Sequence, residues 1–109
     1  MALTYKVLGQ SSPSATTNTD LYTVPASTSA VASTLVVCNR GVSTSFRVAV
    51  RPAGATIANE HYIVYDNLLN QNDSVFLTLG ITLATTDVVT VYTNSANVSF
   101  SLFGSEVSA

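Results

Sequence analysis

His61 is the chain's only histidine and stands beside Glu60 in the run NEHYIVYD. Neighbouring side chains on a strand point to opposite faces, so this pair does not close easily on one metal ion. No His-x-His or HExxH spacing accompanies it, and a lone histidine at the start of a strand reads as a surface or turn residue. The carboxylates are Asp20, Glu60, Asp66, Asp73, Asp87 and Glu106. Each aspartate falls at a strand end or a turn, where the side chain commonly hydrogen-bonds its own backbone. The sequence pairs no two of them as a glycosidase requires, and the oxygen-rich DNLLNQND departs from EF-hand spacing. Cys38 is the only cysteine, which excludes an internal disulfide and a cysteine-rich metal site. In TLVVCNR it reads as a buried, inert thiol. No G-x-S-x-G elbow occurs. The chain is expected to be no enzyme and to carry no cofactor and no metal.

The remaining polar chemistry is concentrated in TSFRVAVRP. Phe46, Val48 and Val50 alternate there with Arg47, Ala49 and Arg51, so both guanidinium groups leave one face of a strand. A guanidinium fork matches a carboxylate in two places. In a chain so poor in charge, each ionic contact weighs heavily in the choice of register and partner. Arg47 and Arg51, with Asp66, Asp73 and Asp87 as their partners, are the candidate subunit-contact residues, pairing within the same chain being the alternative. Tyr62, Tyr65 and Tyr92 are the aromatic side chains that suit a sugar-binding platform. Tyr62 and Tyr65, however, fall on opposite faces of a regular strand, which weakens that reading. Asn72-Asp73-Ser74 and Asn97-Val98-Ser99 match the glycosylation sequon, a match expected by chance in an Asn- and Ser-rich chain.

These residues need a scaffold, and the composition restricts it. The chain has 109 residues, which implies one domain over 1–109. Hydrophobic residues make up 47% and charged residues only 9%, well short of the roughly 25% of an average soluble domain. The polar surface therefore comes mainly from Ser, Thr and Asn, a weakly repulsive surface suited to packing against other protein. An oligomer or larger assembly is the first inference. The net charge of −2 and the absence of a basic stripe argue against nucleic acid as a partner. No apolar run is long enough to cross a bilayer, and MALTYKVLGQ lacks the pattern of a secretory leader. A soluble chain made in the cytoplasm is expected.

Val and Thr dominate, and apolar residues recur with period two rather than at helical spacing. The alternation predicts strands in LTYKVLG, DLYTVP, AVASTLVVCNR, TSFRVAVRP, HYIVYD, SVFLTLGITL, DVVTVYT and VSFSLFG, with Gly80 marking a bend or bulge. AVASTLVVCNR and TSFRVAVRP, separated by a short turn, are expected to form a hairpin. NLLNQND reads as a connection in which Leu68 and Leu69 pack inward. Phe46, Val48, Val50, Val75, Leu77, Leu79, Phe100 and Leu102 are the expected core. The fold class is all-β: an antiparallel β-sandwich of about eight strands, jelly-roll-like or Ig-like in its connections. Residues 1–19 form a first strand plus an extended polar arm, which either folds back on its own sheet or exchanges with a neighbouring subunit.

LYTVPASTSAVASTLVVCNRG, FRVAVRPAG, HYIVYD, DSVFLTLGITLATTDVVTVYT and NVSFSLFGSE together resemble small β-sandwich virion proteins of tailed bacteriophages. The resemblance covers about Asp20 to Glu106 and rests on structural motifs: a VPA turn, a strand ending near CN, an F-x-V-x-V-x-P-x-G strand and a closing FG-x-E. It implies a non-enzymatic virion component, located on the virion after synthesis in the host cytoplasm. Its partners would be copies of itself, with a trimer favoured, and other virion proteins. The tail or baseplate, as a short fibre or adaptor, is the leading placement, and capsid decoration is the alternative. A carbohydrate-binding module that recognises a host-surface glycan is a further alternative.

Overall fold

The computed structural model describes residues 2–108; Met1 and Ala109, the two ends of the expected 1–109 domain, lie outside the described residues. Eight strands follow one another: β1 (Ala2–Ser11), β2 (Thr19–Thr23), β3 (Thr28–Asn39), β4 (Thr44–Arg51), β5 (Tyr62–Leu69), β6 (Ser74–Leu83), β7 (Val88–Thr93) and β8 (Val98–Ser108). Among the described residues, two single 3-10 turns, Pro52–Gly54 and Asn59–His61, interrupt this order. Sheet A has the order β1-β8-β3-β6 and sheet B the order β2-β7-β4-β5, every pairing being antiparallel. β1 pairs with β8, β2 with β7, β3 with β6 and β4 with β5. The chain is thus one long eight-strand hairpin rolled into two layers, which is the jelly-roll form of the expected sandwich.

The expected hairpin between the third and fourth strands does not form. β3 lies in sheet A and β4 in sheet B; the short 40–43 connection crosses between layers. Asn39 sets this crossing. Its side chain is 2% exposed, its amide nitrogen donates to the carbonyls of Val42 (2.9 Å), Asn70 (3.0 Å) and Leu69 (3.3 Å), and its Oδ1 accepts from the Gly41 N–H (3.0 Å). One amide thereby closes the β3–β4 and β5–β6 connections together. A buried amide is stable only when so satisfied.

The core fills the space between the layers. Leu35, Val37, Phe100 and Leu102 enter from sheet A, and Phe46, Val48, Val89 and Val91 from sheet B, all but excluded from solvent. Each such side chain contributes about 1.5–3 kcal/mol by burial. Phe46 and Phe100 meet edge to face across the layers, 6.2 Å between ring centres. Val50, Val75, Leu77 and Leu79 are half-buried against this core. Of the two leucines expected to pack inward, Leu69 is buried and Leu68 is exposed, because consecutive strand residues take opposite faces.

Gly80 has φ 68° and sits where β6 gains an extra residue against β3, the bulge its position predicts. Cys38 is half-buried rather than buried; it shares the outward side of β3 with Val36, while Leu35 and Val37 face in. The first strand is longer than expected and pairs with β8 of its own chain. The arm shrinks to 12–18. It is tied down by the Thr16 N–H to the Thr93 carbonyl (2.8 Å) and by Arg40 Nη2 to Ser12 Oγ (2.9 Å).

Candidate functional site: an aromatic and arginine face opposite an apolar one

The outer face of sheet B holds both arginines of β4, and they do different things. Arg51 is a staple. Its Nε donates to Thr90 Oγ1 (3.0 Å), its Nη2 to Asp20 Oδ1 (2.8 Å) and its Nη1 to the carbonyls of Ala55 (2.9 Å) and Gly54 (3.3 Å). This folds the 52–61 connection back over the sheet, its two 3-10 turns resting on β7 and β4. Ala49 and Thr90, which point outward, are consequently 1% and 3% exposed. Asp20, which is not among the expected partners, is the carboxylate that Arg51 meets.

Arg47 occupies the centre of a second cluster. Its Nε and Nη2 grip Asp66 Oδ1 (2.6 Å) and Oδ2 (3.2 Å). Its guanidinium carbon lies 4.2 Å from the centre of the Tyr65 ring and 4.6 Å from that of Tyr92. The guanidinium is therefore gripped at its edge by a carboxylate and flanked by two aromatic rings. Hydrogen bonding to Arg47 holds the Asp66 carboxyl below the usual carboxylate range, and the same bond raises Arg47 further above its already high value. Asp73 and Asp87 stay with the backbone. Asp73 Oδ1 accepts from the Ser74 N–H, and Asp87 accepts from the N–H groups of Ala53 and Ala84, joining two turns. All five candidate subunit-contact residues thus have partners within their own chain.

Tyr62 and Tyr65 do not lie on opposite faces. Ala49 pairs with Tyr62 and Val48 with Val64, so Ile63 is an extra residue that resets the alternation. Tyr62 then points outward with Ala49, Val64 points inward with Val48, and Tyr65 points outward again. Between Val64 and Asn67 a second bulge puts Tyr65 and Asp66 opposite the single residue Arg47, with Asp66 at φ 52°. Aspartate is one of the few residues that tolerate this left-handed conformation. The two tyrosine rings end 4.9 Å apart at 84°. They and Asn59 line an open depression of about 380 Å³. His61 ends the 3-10 turn that begins at Asn59, where its Nδ1 accepts from the Ala58 N–H (3.0 Å).

The outer face of sheet A is different. Register places Leu3 beside Val107, Tyr5 beside Ser105 and Val31, Val7 beside Phe103, and Gln10 beside Ser101, Val36 and Phe76. No outward residue of these rows is charged. Tyr5 is 81% and Phe76 71% exposed, and Leu3, Val7 and Val31 are exposed as well. Four strands at about 4.8 Å and seven steps at about 3.4 Å give this face an area on the order of 450 Å². The charges of this region turn to the inner side instead. Glu106 accepts from the Tyr22 hydroxyl and from Lys6 Nζ (3.3 Å). The Tyr22 bond, aided by Lys6, lowers the Glu106 carboxyl below its usual range, while burial and then Glu106 raise the Tyr22 phenol.

Among the described residues, no three His, Cys, Asp or Glu side chains gather as a metal site would need, and no helix is long and apolar enough to cross a membrane. Comparison with protein-family models, with curated proteins and with solved structures finds no match to this chain.

Proposed function

We propose that this chain is a non-enzymatic structural protein of a bacteriophage virion, assembling as a symmetric homo-oligomer on the tail or baseplate. The observation that carries the reading is the uncharged outer face of sheet A, with Tyr5 and Phe76 largely exposed on it. An uncharged face on which Leu3, Tyr5, Val7, Val31 and Phe76 all stand exposed has the character of an interaction surface. The occupant is a second copy of the chain. Each copy has a net charge of −2, yet none of that charge lies on this face, so like charges do not meet there. Three copies turned toward a common axis cover the patch in a closed ring. The jelly-roll order, an architecture used by capsid and lectin domains, and the resemblance to tailed-phage sandwich proteins support the virion assignment by analogy.

Mass spectrometry of purified particles, quantified against the major capsid protein, tests the placement. A few to a few dozen copies per particle fit a tail or baseplate part. Hundreds of copies would move the chain to capsid decoration. Its absence from washed particles would refute the virion reading.

A further inference from the structure

The geometry points to the corner formed by Tyr62, Tyr65 and Asn59 as a binding site for a neutral saccharide unit. This goes beyond a structural role and does not depend on the sheet A interface, since the corner lies on the opposite layer. Two aromatic rings at 84° with centres 4.9 Å apart make two walls of a concave angle, and Asn59 supplies the third side. A pyranose presents C–H groups on one face and hydroxyls around its edge. The C–H face suits an aromatic ring, whose face carries partial negative charge. The hydroxyls suit an amide that both donates and accepts. The volume of about 380 Å³ is at the small end of ligand sites, which span roughly 300–1,000 Å³. It matches one or two sugar rings rather than a long polymer.

Two features argue for a prepared site rather than an incidental pair of tyrosines. Tyr65 is 59% exposed yet not free to turn, because Arg47 lies against its ring and is itself held by Asp66 and Tyr92. The turn that carries Asn59 is closed at both ends of Ala58: its N–H donates to His61 Nδ1 and its carbonyl accepts from the His61 N–H, each at 3.0 Å. The Tyr65 ring and the turn that carries Asn59 are ordered before a ligand arrives, which lowers the entropic cost of binding. Arg47 also decides the ligand's charge. Its Nε and Nη2 are held by Asp66 and its plane is flanked by tyrosines, and the residues that line the corner, Asn59, Tyr62 and Tyr65, carry no charge. An uncharged lining, with the nearby guanidinium already paired to a carboxylate, favours a neutral ligand over an anionic one.

The test is a screen of the full chain against arrayed neutral and anionic mono- to tetrasaccharides, followed by saturation-transfer NMR with each hit. Tyrosine fluorescence gives a second readout, because the chain has no tryptophan. The expected result is binding of neutral pyranosides in preference to anionic ones. Tyr65→Ala and Tyr62→Ala should each weaken it about tenfold, the factor that corresponds to about 1.4 kcal/mol. Tyr65→Phe should preserve it, and Arg47→Lys, which removes the bidentate hold behind Tyr65, should weaken it severalfold without changing the far-UV spectrum. Absence of any saccharide hit, a preference for anionic sugars, or unchanged affinity in both alanine variants would overturn the site. None of these outcomes bears on the oligomeric mass, so the two proposals fail separately.

Discussion

Replacing Asn39 by alanine is expected to remove about 3 kcal/mol of stability. The side chain makes three hydrogen bonds of 2.9–3.0 Å and a fourth of 3.3 Å. A typical net contribution is about 1 kcal/mol for each good bond, and carbonyls left unpaired in a buried site add to the loss. Such a change is a large part of the roughly 5–15 kcal/mol that holds a domain together. At a urea dependence of about 1.5 kcal/mol per molar, the unfolding midpoint should fall by about 2 M, with the slope unchanged. The assay is urea denaturation followed by circular dichroism. It is best run in the Tyr5→Asp/Phe76→Asp background, because assembly would make the midpoint depend on concentration. Asn70→Ala is the control: that side chain is exposed and only its carbonyl receives Asn39, so a change within about 0.5 kcal/mol is expected. If Asn39→Ala moves the midpoint no more than the control does, the amide is not what fixes the crossing from sheet A to sheet B.

Two glycine substitutions separate crowding from backbone conformation. A Cβ on Gly104 would lie 2.0 Å from the Val31 carbonyl oxygen, so Gly104→Ala should give chain that does not fold or loses more than about 3 kcal/mol. Gly80→Ala meets no neighbouring atom within 4 Å but must adopt φ 68°, and should cost only about 1–2 kcal/mol; equal effects in thermal melts would contradict this distinction. The Glu106 carboxyl has a folded value below its unfolded one, so the stability it supplies is present above about pH 4.5 and is lost as the pH falls through the folded value. Urea midpoints measured from pH 7 down to pH 3 should show this decline, and Glu106→Gln should make it shallower, leaving the part that Asp66 supplies.

The strands were legible because Val and Thr alternate with polar residues almost without interruption. All eight begin within about two residues of where the pattern starts them, within the accuracy such patterns allow. Alternation reports which side chains share a face, but it is silent about which sheet a strand joins. The short 40–43 connection therefore read as a hairpin turn, although Asn39 makes it a crossing. The same silence hid Asp20 from Arg51, because their meeting depends on β2 and β4 both flanking β7.

The tyrosine corner was half-visible. Tyr62, Tyr65 and Tyr92 are the right residue types, but a spacing of three on a regular strand separates the first two. The extra residue Ile63 that reunites them carries no glycine or proline signal. Asp66 is the one local clue, since Asp-Asn favours a left-handed residue within a strand. The apolar face of sheet A was legible only as low charge overall. Its continuity follows from register: Leu3, Val7, Val31, Phe76 and Phe103 are far apart in sequence and become neighbours only when β1, β8, β3 and β6 align.

The solution mass of the full chain by light scattering, at several concentrations, tests the self-assembly through sheet A most directly. Three copies of the 11.4 kDa chain give about 34 kDa for a closed ring. Tyr5→Asp combined with Phe76→Asp should return it to a folded monomer of 11.4 kDa. An unsubstituted chain that stays monomeric at high concentration, or an oligomer untouched by both aspartates, would contradict the assignment of this face.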